Sequence, residues 1–594
     1  MHAVTRGNPF FVTEVLRDTG STVPATVQDV VLARAARLPE AAQQILKLAS
    51  VVPGHVERWL VDELLAPQLG DLEACLGSGL LLAEGEHLSF RHELGRVAIE
   101  TSLSAPLAQS LHARVLAALA APHRQVPPAR LVHHALRAHD SDAVSRYAPL
   151  AAEEARARGA HREAAAQWSN ALRAGTQPGD EELRRWLEAY ANECGLIDRD
   201  DALWALRRLE QMARSRGDLA DAAVQLSRQS GYLVGQLRND EAEAVSREAL
   251  ALLEALSPSV AHVHAWHFQG WLRMLDRDCE ESVQWARRGL ALAERLGERR
   301  PALRARNGMG VPLLFIDYDA ACTLMESTAA EYRADGSAAG ASSTLLNLGS
   351  GSGELMRLPQ AERYLRDVLA LSRPNEIDAH TNYAEAWLAI CLLLRGRWDE
   401  AGSLASAVVA RTDADISHLM ALLALARLRL RRGDPGLDEV LADALELAER
   451  SHTLQRVGPT RGVRAEAAFA IGDLAAVAQE VQQALPLAQA RRRRVAEGGR
   501  CWLLRRSVRA HRHGARAALV ACPAKRRRVG QFKHRCHRTS VATYSPIASD
   551  AVMPGDSMPN SCTTPGTPCC AGPSMRKSAA AVSPGAWIFG RMPA

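Results

Sequence analysis

Apolar and polar positions follow a helical period through more than half of the chain, from Asp142 to about Ala490. One unit runs from Asp142 to Gly159, and a second amphipathic stretch follows from Ala160 to Ala174. Small residues occupy the apolar face of both stretches, and the glycine between them marks a short turn. This pattern predicts two closely packed helices and contains no strand signal.

The unit repeats along the chain, with intervals of roughly 37 to 41 residues between successive turns. The turns fall near Asn239, Asp276, Asp317, Leu358, Gly396, Gly433 and Gly472. This organisation resembles a tetratricopeptide-type array, whose usual period is about 34 residues. We therefore expect an α-solenoid superhelix over residues 142–490.

Composition supports a mainly α protein. Apolar residues make up 47% and charged residues 23% of the 594 positions, as in soluble proteins, whereas aromatic residues make up only 5%. The longest apolar run, Leu419 to Ala426, is far shorter than the roughly 20 residues that cross a bilayer, and Met1 to Arg17 lacks the apolar core of a signal peptide. We expect a cytoplasmic protein without membrane contact. Its eleven cysteines have no paired spacing and are expected to be reduced thiols.

A different pattern precedes the array. Helical periodicity predicts helices over Val27–Leu38, Pro39–Val52, His55–Leu65 and Leu69–Leu76. Two short apolar segments, Leu80–Ala83 and His87–Phe90, then flank a glycine turn and predict a β-hairpin. Helices followed by a hairpin indicate a winged-helix domain over 21–104, with linker helices over 105–141.

Several strings in this region together resemble a known family. They are Gly7-Asn8-Pro9-Phe10-Phe11-Val12, the hairpin end Phe90-Arg91-His92-Glu93, and Leu111-His112. In order and spacing they are similar to the ATP-binding LuxR-type regulators of the maltose-regulator kind, which are signal-transducing STAND ATPases. Those proteins have a P-loop nucleotide domain, a winged helix, a helical-repeat sensor arm and a C-terminal helix-turn-helix. The resemblance covers roughly Thr5 to Ala490 and implies that residues 1–20 end a nucleotide-domain helical segment.

The resemblance also implies a nucleotide site. Asn8 and Pro9 would lie in the turn near the adenine, and Arg91 and His92 near the phosphates of ATP or ADP. An imidazole beside an arginine at a helix start could bond a phosphate together with the free helix N–H groups. A capping or core histidine is the alternative for His92.

Two parts of the family pattern are missing. The sequence contains no Gly-Lys dipeptide, which excludes the Gly-x-x-x-x-Gly-Lys-Ser/Thr phosphate loop from these 594 residues. It also has no helix-turn-helix signature near the C-terminus. We expect a fragment with no ATPase core, no catalytic residues and no cofactor of its own.

Three side-chain groups within the helical part invite a functional interpretation. His262, His264 and His267 cluster in one helical stretch, and the last two, at i and i+3, could share a helix face and bind a metal. His133, His134 and His139 form a second group. Packing is the preferred interpretation of both groups, so no metal site is predicted. A concave ligand surface could be lined by Trp266, Trp271, Trp285 and Phe315, although core packing is again preferred.

The charge changes sign at Arg491. From there to the end stand 20 basic and 3 acidic residues, leaving 52 basic and 64 acidic residues before it. The acidic body argues against a nucleic-acid groove within 1–490, and the Pro/Ser/Gly-rich tail over 491–594 is expected to be disordered. The tail is interpreted as a shifted reading frame. The alternatives are a nucleic-acid or acidic-partner arm, and a metal site of Cys522, His534, Cys536 and His537.

The sequence therefore predicts the signal-sensing and regulatory portion of an ATP-dependent LuxR-family regulator, whose arm binds an inducer or a partner protein. DNA would be reached only through a missing domain, or non-specifically through the basic tail, and the chain could be a homo-oligomer. The alternative is a stand-alone tetratricopeptide-repeat adaptor that grips a protein or peptide in its concave groove.

Overall fold

The computed structural model describes residues 25–175, 178–197 and 200–495. The predictions made for residues 1–20, including Asn8 and Pro9, and those made for the tail beyond residue 495 lie outside these ranges. The described chain is almost entirely helical, with a single small sheet near its start.

The sheet belongs to an N-terminal module that covers residues 25–102. Its elements are α1 (Ala25–Ala36), α2 (Glu40–Ser50), β1 (His55–Glu57), α3 (Arg58–Leu65), α4 (Leu69–Gly77), β2 (Leu81–Glu84), β3 (His87–Phe90) and α5 (Glu93–Ser102). The strands are antiparallel in the order β1-β3-β2. In register, Val56 pairs with Leu88, and Ser89 pairs with Leu82 on the other side.

Strand β1 corrects one sequence prediction. The predicted helix over His55–Leu65 begins only at Arg58, because His55–Glu57 forms the third strand of the sheet. Val56 is β-branched and only 1% exposed opposite Leu88, so strand pairing buries it against the core. The predicted hairpin of β2 and β3 is present.

Two helices connect the module to the repeats: α6 (Ala105–Leu119) and α7 (Pro128–Ala138). Arg114 of α6 donates from Nη2 to the carbonyl oxygen of Leu64 at 2.5 Å. Arg130 of α7 forms a two-pronged ion pair with Glu57, at 2.5 and 2.7 Å. Both helices are therefore fastened to the module by arginines.

The remaining helices form the array. They are α8 (Ser141–Ala157), α9 (His161–Arg173), α10 (Asp180–Leu196), α11 (Asp201–Ser215), α12 (Leu219–Gly235), α13 (Asn239–Leu253), α14 (Val260–Leu275), α15 (Cys279–Leu296), α16 (Arg299–Ile316), α17 (Tyr318–Ala334), α18 (Ala338–Glu354), α19 (Leu358–Ser372), α20 (Asp378–Leu394), α21 (Trp398–Arg411), α22 (Ile416–Arg432), α23 (Leu437–Ser451), α24 (Leu454–Ile471) and α25 (Leu474–Val495). Each packs on its sequence neighbour, which confirms the predicted α-solenoid.

The predicted turns lie between paired helices and share a local geometry. At every predicted turn except that near Asp317, a residue in the left-handed region precedes the second helix, as at Leu237 (φ 60°) and Met356 (φ 61°). Asp278 and Asp317 then cap the next helix by accepting from the backbone N–H three residues on. Between the helices, fully buried alanines such as Ala148 permit close packing.

No helix in the described ranges combines the length and the apolar composition that a bilayer crossing would require.

Candidate functional site

The array contacts itself after one full superhelical turn. Helix α10 contacts α20, and α13 contacts α23, so the turn comprises ten helices. Arg162 at the start of α9 donates from Nη2 to both carboxylate oxygens of Asp378, at 2.6 and 2.7 Å. His452 Nδ1 lies 2.8 Å from Asp240 Oδ2, and Arg450 donates to the carbonyl oxygen of Gln236 at 3.1 Å. We call these contacts, which join residues 212 to 216 positions apart, the seam.

A cavity of about 1310 Å³ lies along the seam. Two successive superhelical turns share its wall. The first superhelical turn supplies Arg162, Asp200, Tyr232, Gln236, Arg238, Asp240 and Glu241, and the second supplies Arg373, Asp378, Asn382, Glu385, Arg411, Arg450 and His452. The wall is strongly charged and carries both signs. Such a surface suits a polar ligand with its own charged groups, and a ligand that fills the space contacts both turns at once.

Glu385 is the most buried carboxylate of the cavity wall, with its side chain 5% exposed. It accepts from Arg373 Nη2 at 2.6 Å and from the guanidinium of Arg411, which also donates to Asn382 Oδ1 at 3.2 Å. The two arginines keep this buried charge paired. Glu385 thereby holds the guanidinium groups of Arg373 and Arg411 in place at the cavity surface.

Arginines across the cavity are also held by carboxylates. Arg238 donates to both oxygens of Glu241 at 2.7 Å. This hydrogen bond raises the pKa of Arg238 and lowers the pKa of Glu241. Burial disfavours the charge of Arg162, but its bonds to Asp378 and Glu376 raise its pKa overall. Both wall arginines therefore stay charged.

The predicted phosphate contacts lie in the N-terminal module, away from this cavity. Arg91 is exposed, and its Nε donates to the Gly79 carbonyl at 3.1 Å, which fastens the end of the hairpin. His92 is half-buried in extended conformation (φ −138°, ψ 134°) at the N-cap of α5. The two residues are thus adjacent at a helix start, as predicted, and their nucleotide role stays a prediction.

The histidines of α14 do not converge on one point within the described part of the chain. His262 Nδ1 accepts from the Ser259 backbone N–H at 3.2 Å, and His264 Nδ1 lies 3.1 Å from Arg304 Nη1. Burial, reinforced by Arg304, lowers the pKa of His264 and His267 to about 3. Both rings are therefore neutral near pH 7, and each contacts a neighbouring helix.

The four aromatic residues proposed for a concave ligand surface are all half-buried. Arg288 lies over the rings of Trp266 and Trp285, 4.8 Å from each centroid, and Arg277 lies 5.0 Å from the ring centre of Phe315. These rings are therefore covered in part by arginines of the array itself.

A further group combines one predicted histidine pair with a residue from another helix. His112 of α6 meets His133 and His134 of α7, and the Nδ1 atoms of His112 and His134 are 3.0 Å apart. His139 is not part of this group, because it adopts a left-handed conformation (φ 56°) at the end of α7. Burial lowers the pKa of His112 to about 4 and that of His134 to about 2, and His133 adds to both shifts.

No protein-family model matches the chain, and no curated protein matches it. Solved structures are similar at low identity. A STAND protein with a tetratricopeptide repeat sensor from Pyrococcus horikoshii is 14% identical over 76% of this chain and 68% of that chain, with a TM-score of 0.29. A Rap protein complexed with competence and sporulation factor is 14% identical over 58% of this chain and 98% of that chain, at 0.42. NprR in complex with its cognate peptide NprX is 10% identical over 49% and 82%, at 0.35. The description of the fold rests on the helix pairs themselves.

Proposed function

We propose that the chain is the signal-sensing and regulatory portion of an ATP-dependent LuxR-type transcriptional regulator, and that its array binds an inducer or a peptide segment of a partner in the seam cavity. The observation that carries the proposal is the shared wall of that cavity. Because both turns contribute charged side chains to it, a ligand there contacts two parts of the array that are about 214 residues apart in sequence.

A shared wall provides a physical route to a switch. A ligand shifts a conformational equilibrium only when it binds one state more tightly than the other. A ligand that fits the closed cavity loses its contacts to one of the two superhelical turns when they separate, so binding favours closure. The array would then transmit ligand binding as a change in the spacing of its turns.

The N-terminal module supports the family assignment. Its elements follow the order α2, β1, α3, α4, β2, β3 with the sheet order β1-β3-β2, which is the connectivity of a winged helix. In the parent family this domain faces the nucleotide domain, and Asn8, Pro9, Arg91 and His92 would contribute to that nucleotide site. The purified chain itself should not hydrolyse ATP, and turnover above that of a buffer blank would contradict this part of the proposal.

Ligand binding can be tested with cavity variants. The purified chain is mixed with a small-molecule and peptide extract of its source cells, and compounds retained through gel filtration are identified by mass spectrometry. We expect a compound whose affinity falls at least about tenfold in the Glu385→Gln/Arg411→Gln variant, since this variant removes two of the charged groups of the cavity wall. Arg156→Gln serves as the control because its pair with Glu153 is exposed on α8. Equal retention by the cavity variant would contradict the proposal.

A stand-alone adaptor is the second candidate. It is favoured by one observation, that the cavity is built entirely by helices of the array and uses no residue of the N-terminal module. The DNA directly upstream of the Met1 codon separates the two candidates. An in-frame P-loop sequence there supports the regulator, and a stop codon with a ribosome-binding site supports the adaptor.

A further inference from the structure

We propose that His112, His133 and His134 form a binding site for a divalent transition-metal ion of the zinc type, at the junction between the N-terminal module and the array. The inference is independent of the proposed function, because the site lies in α6 and α7 and shares no residue with the seam cavity.

The geometry brings three imidazoles to one point. One ring nitrogen from each histidine lies within 4.8 Å of those of the other two, and the ring centroids are 5.0 to 5.6 Å apart. Zinc holds imidazole nitrogens at about 2.0–2.1 Å, which places two ligand nitrogens of a tetrahedral site roughly 3.4 Å apart. The Nδ1 atoms of His112 and His134 share a hydrogen bond at 3.0 Å, close to that value, so an ion would replace the shared proton with little movement of the two nitrogens. Small ring rotations would therefore complete the triangle.

The hydrogen bonding of the rings is incomplete without an ion. Within the described ranges, the Nε2 atoms of His133 and His134 are buried and make no hydrogen bond. Buried polar atoms normally have a partner, and a metal ion would supply one to His133 Nε2, whereas His134 would bind through Nδ1. A neutral imidazole has one nitrogen lone pair, and this is the form of histidine that binds a metal.

The surroundings fit a largely buried site with one entrance. His112 and His134 are 2% and 0% exposed and are flanked by the buried Leu111 and Val132. His133 is only half-buried, so an ion can reach the cluster past its ring. Imidazole ligands suit zinc, copper, nickel and iron, whereas magnesium and calcium prefer oxygen. Three histidines leave a fourth position, which a water molecule can occupy.

The location suggests what the ion would do. Helix α6 is fastened to α3 through Arg114, and α7 is fastened to β1 through Arg130. An ion that ties α6 to α7 would fix the angle at which the array leaves the N-terminal module. The proposed role is therefore structural.

Metal titration of the full chain tests the site. Its thiols are first alkylated with N-ethylmaleimide, because cysteines elsewhere also bind zinc, and metal is removed by dialysis against a chelator. Calorimetry with Zn²⁺ should show one more equivalent bound by the wild-type chain than by His133→Asn, or at least about tenfold weaker binding in the variant. Co²⁺ in place of Zn²⁺ should give the visible absorption bands of a four-coordinate imidazole site.

Two controls make the result decisive. His139→Asn alters a histidine of the same segment outside the cluster, and asparagine tolerates its left-handed conformation, so this variant should bind like wild type. His112→Gln provides a second loss from the other helix, with circular dichroism of the metal-free chains to show that both variants fold. A wild-type chain without the Co²⁺ bands, or equal zinc binding by wild type, His133→Asn and His112→Gln, would overturn the proposal and leave the cluster as packing only.

Discussion

The array has two kinds of interface: the stack, where each helix packs on its sequence neighbours, and the seam between superhelical turns. The stack is formed by buried apolar side chains, and the seam by polar and charged side chains. Within the stack, Ala384, Ala386 and Ala389 have no exposed surface, and the Cα of Gly349 lies against Leu365. At the seam, the side chains of His452 and Asp240 are 64% and 78% exposed, although His452 Nδ1 lies 2.8 Å from Asp240 Oδ2. The side chains of the stack are therefore shielded from solvent, whereas those of the His452–Asp240 contact at the seam are exposed to it.

This difference separates stability from movement. Apolar burial contributes about 25 cal/mol per Å², so the stack accounts for most of the stability of each helix pair. Exposed ion pairs contribute about 0–1 kcal/mol each and weaken in salt. The turns can therefore separate at little cost while every helix pair remains intact.

The largest effect should come from the stack. Leu365 of α19 is fully buried, and Leu365→Ala should lower the free energy of unfolding by about 2–5 kcal/mol, because it leaves a cavity in a close-packed core. Chemical denaturation followed by circular dichroism measures the change. Leu150→Ala is the control, since Leu150 is 54% exposed and its loss should matter little. Equal midpoints for the two variants would contradict the described packing.

A buried charge at the cavity wall should have an intermediate effect. Glu385→Gln leaves Arg373 and Arg411 without their shared carboxylate and should cost about 1–3 kcal/mol. The matched control is Glu153→Gln, which removes an exposed carboxylate from an intrahelical pair. Denaturant midpoints compare them, and a loss no greater for Glu385 than for Glu153 would show that the cavity is more open to water than described.

Acid should weaken the stack through its neutral histidines. His264 and His267 have pKa values near 3 in the folded chain, against about 6.5 for an unfolded imidazole. Between these values the unfolded state binds more protons, so stability falls as the pH drops below about 6.5. His267→Gln should flatten the decrease in melting temperature between pH 7 and 5, whereas His123→Gln, at an exposed position, should not. An identical slope in both variants would argue against burial of the ring.

The smallest effect on stability should come from the seam. A double-mutant cycle with Arg162→Gln and Asp378→Asn should give a coupling energy of about 0.2–1 kcal/mol, because Arg162 is 57% exposed. The coupling should shrink further in 1 M salt, where charges are screened over about 3 Å. A coupling of several kcal/mol would mean that the seam resists opening as strongly as the stack.

The sequence was informative where a periodic pattern was buried and uninformative where contacts join distant residues. The turns near Asp276 and Asp317 were predictable because the helical unit repeats at a regular interval, and the structure adds a capping aspartate to each turn, Asp278 and Asp317. Strand β1 was missed because a three-residue strand gives no periodicity of its own and depends on pairing with β3.

The candidate sites followed the same rule. His133 and His134 stand out in the sequence, but their partner His112 is 22 positions from His134 on a different helix. The seam cavity joins residues more than 200 positions apart, and nothing local to Arg162 or Glu385 signals their neighbours across the turn. The curvature of the superhelix determines which distant residues come into contact. The sequence period alone does not determine how many helices make up one superhelical turn.

Closure of the array is tested most directly by a cross-link across the seam. A Cβ atom at Gly159 would lie 3.8 Å from the Cα of Asn375, which suits a disulfide. We expect Gly159→Cys with Asn375→Cys to form a disulfide under mild oxidation, mapped by mass spectrometry of the digested chain. Gly217→Cys with Asn375→Cys is the matched control, because Gly217 has the same left-handed backbone and no neighbour within 4 Å of its Cβ. A disulfide between positions 159 and 375 that forms no faster than the control disulfide would contradict closure of the superhelix after one turn.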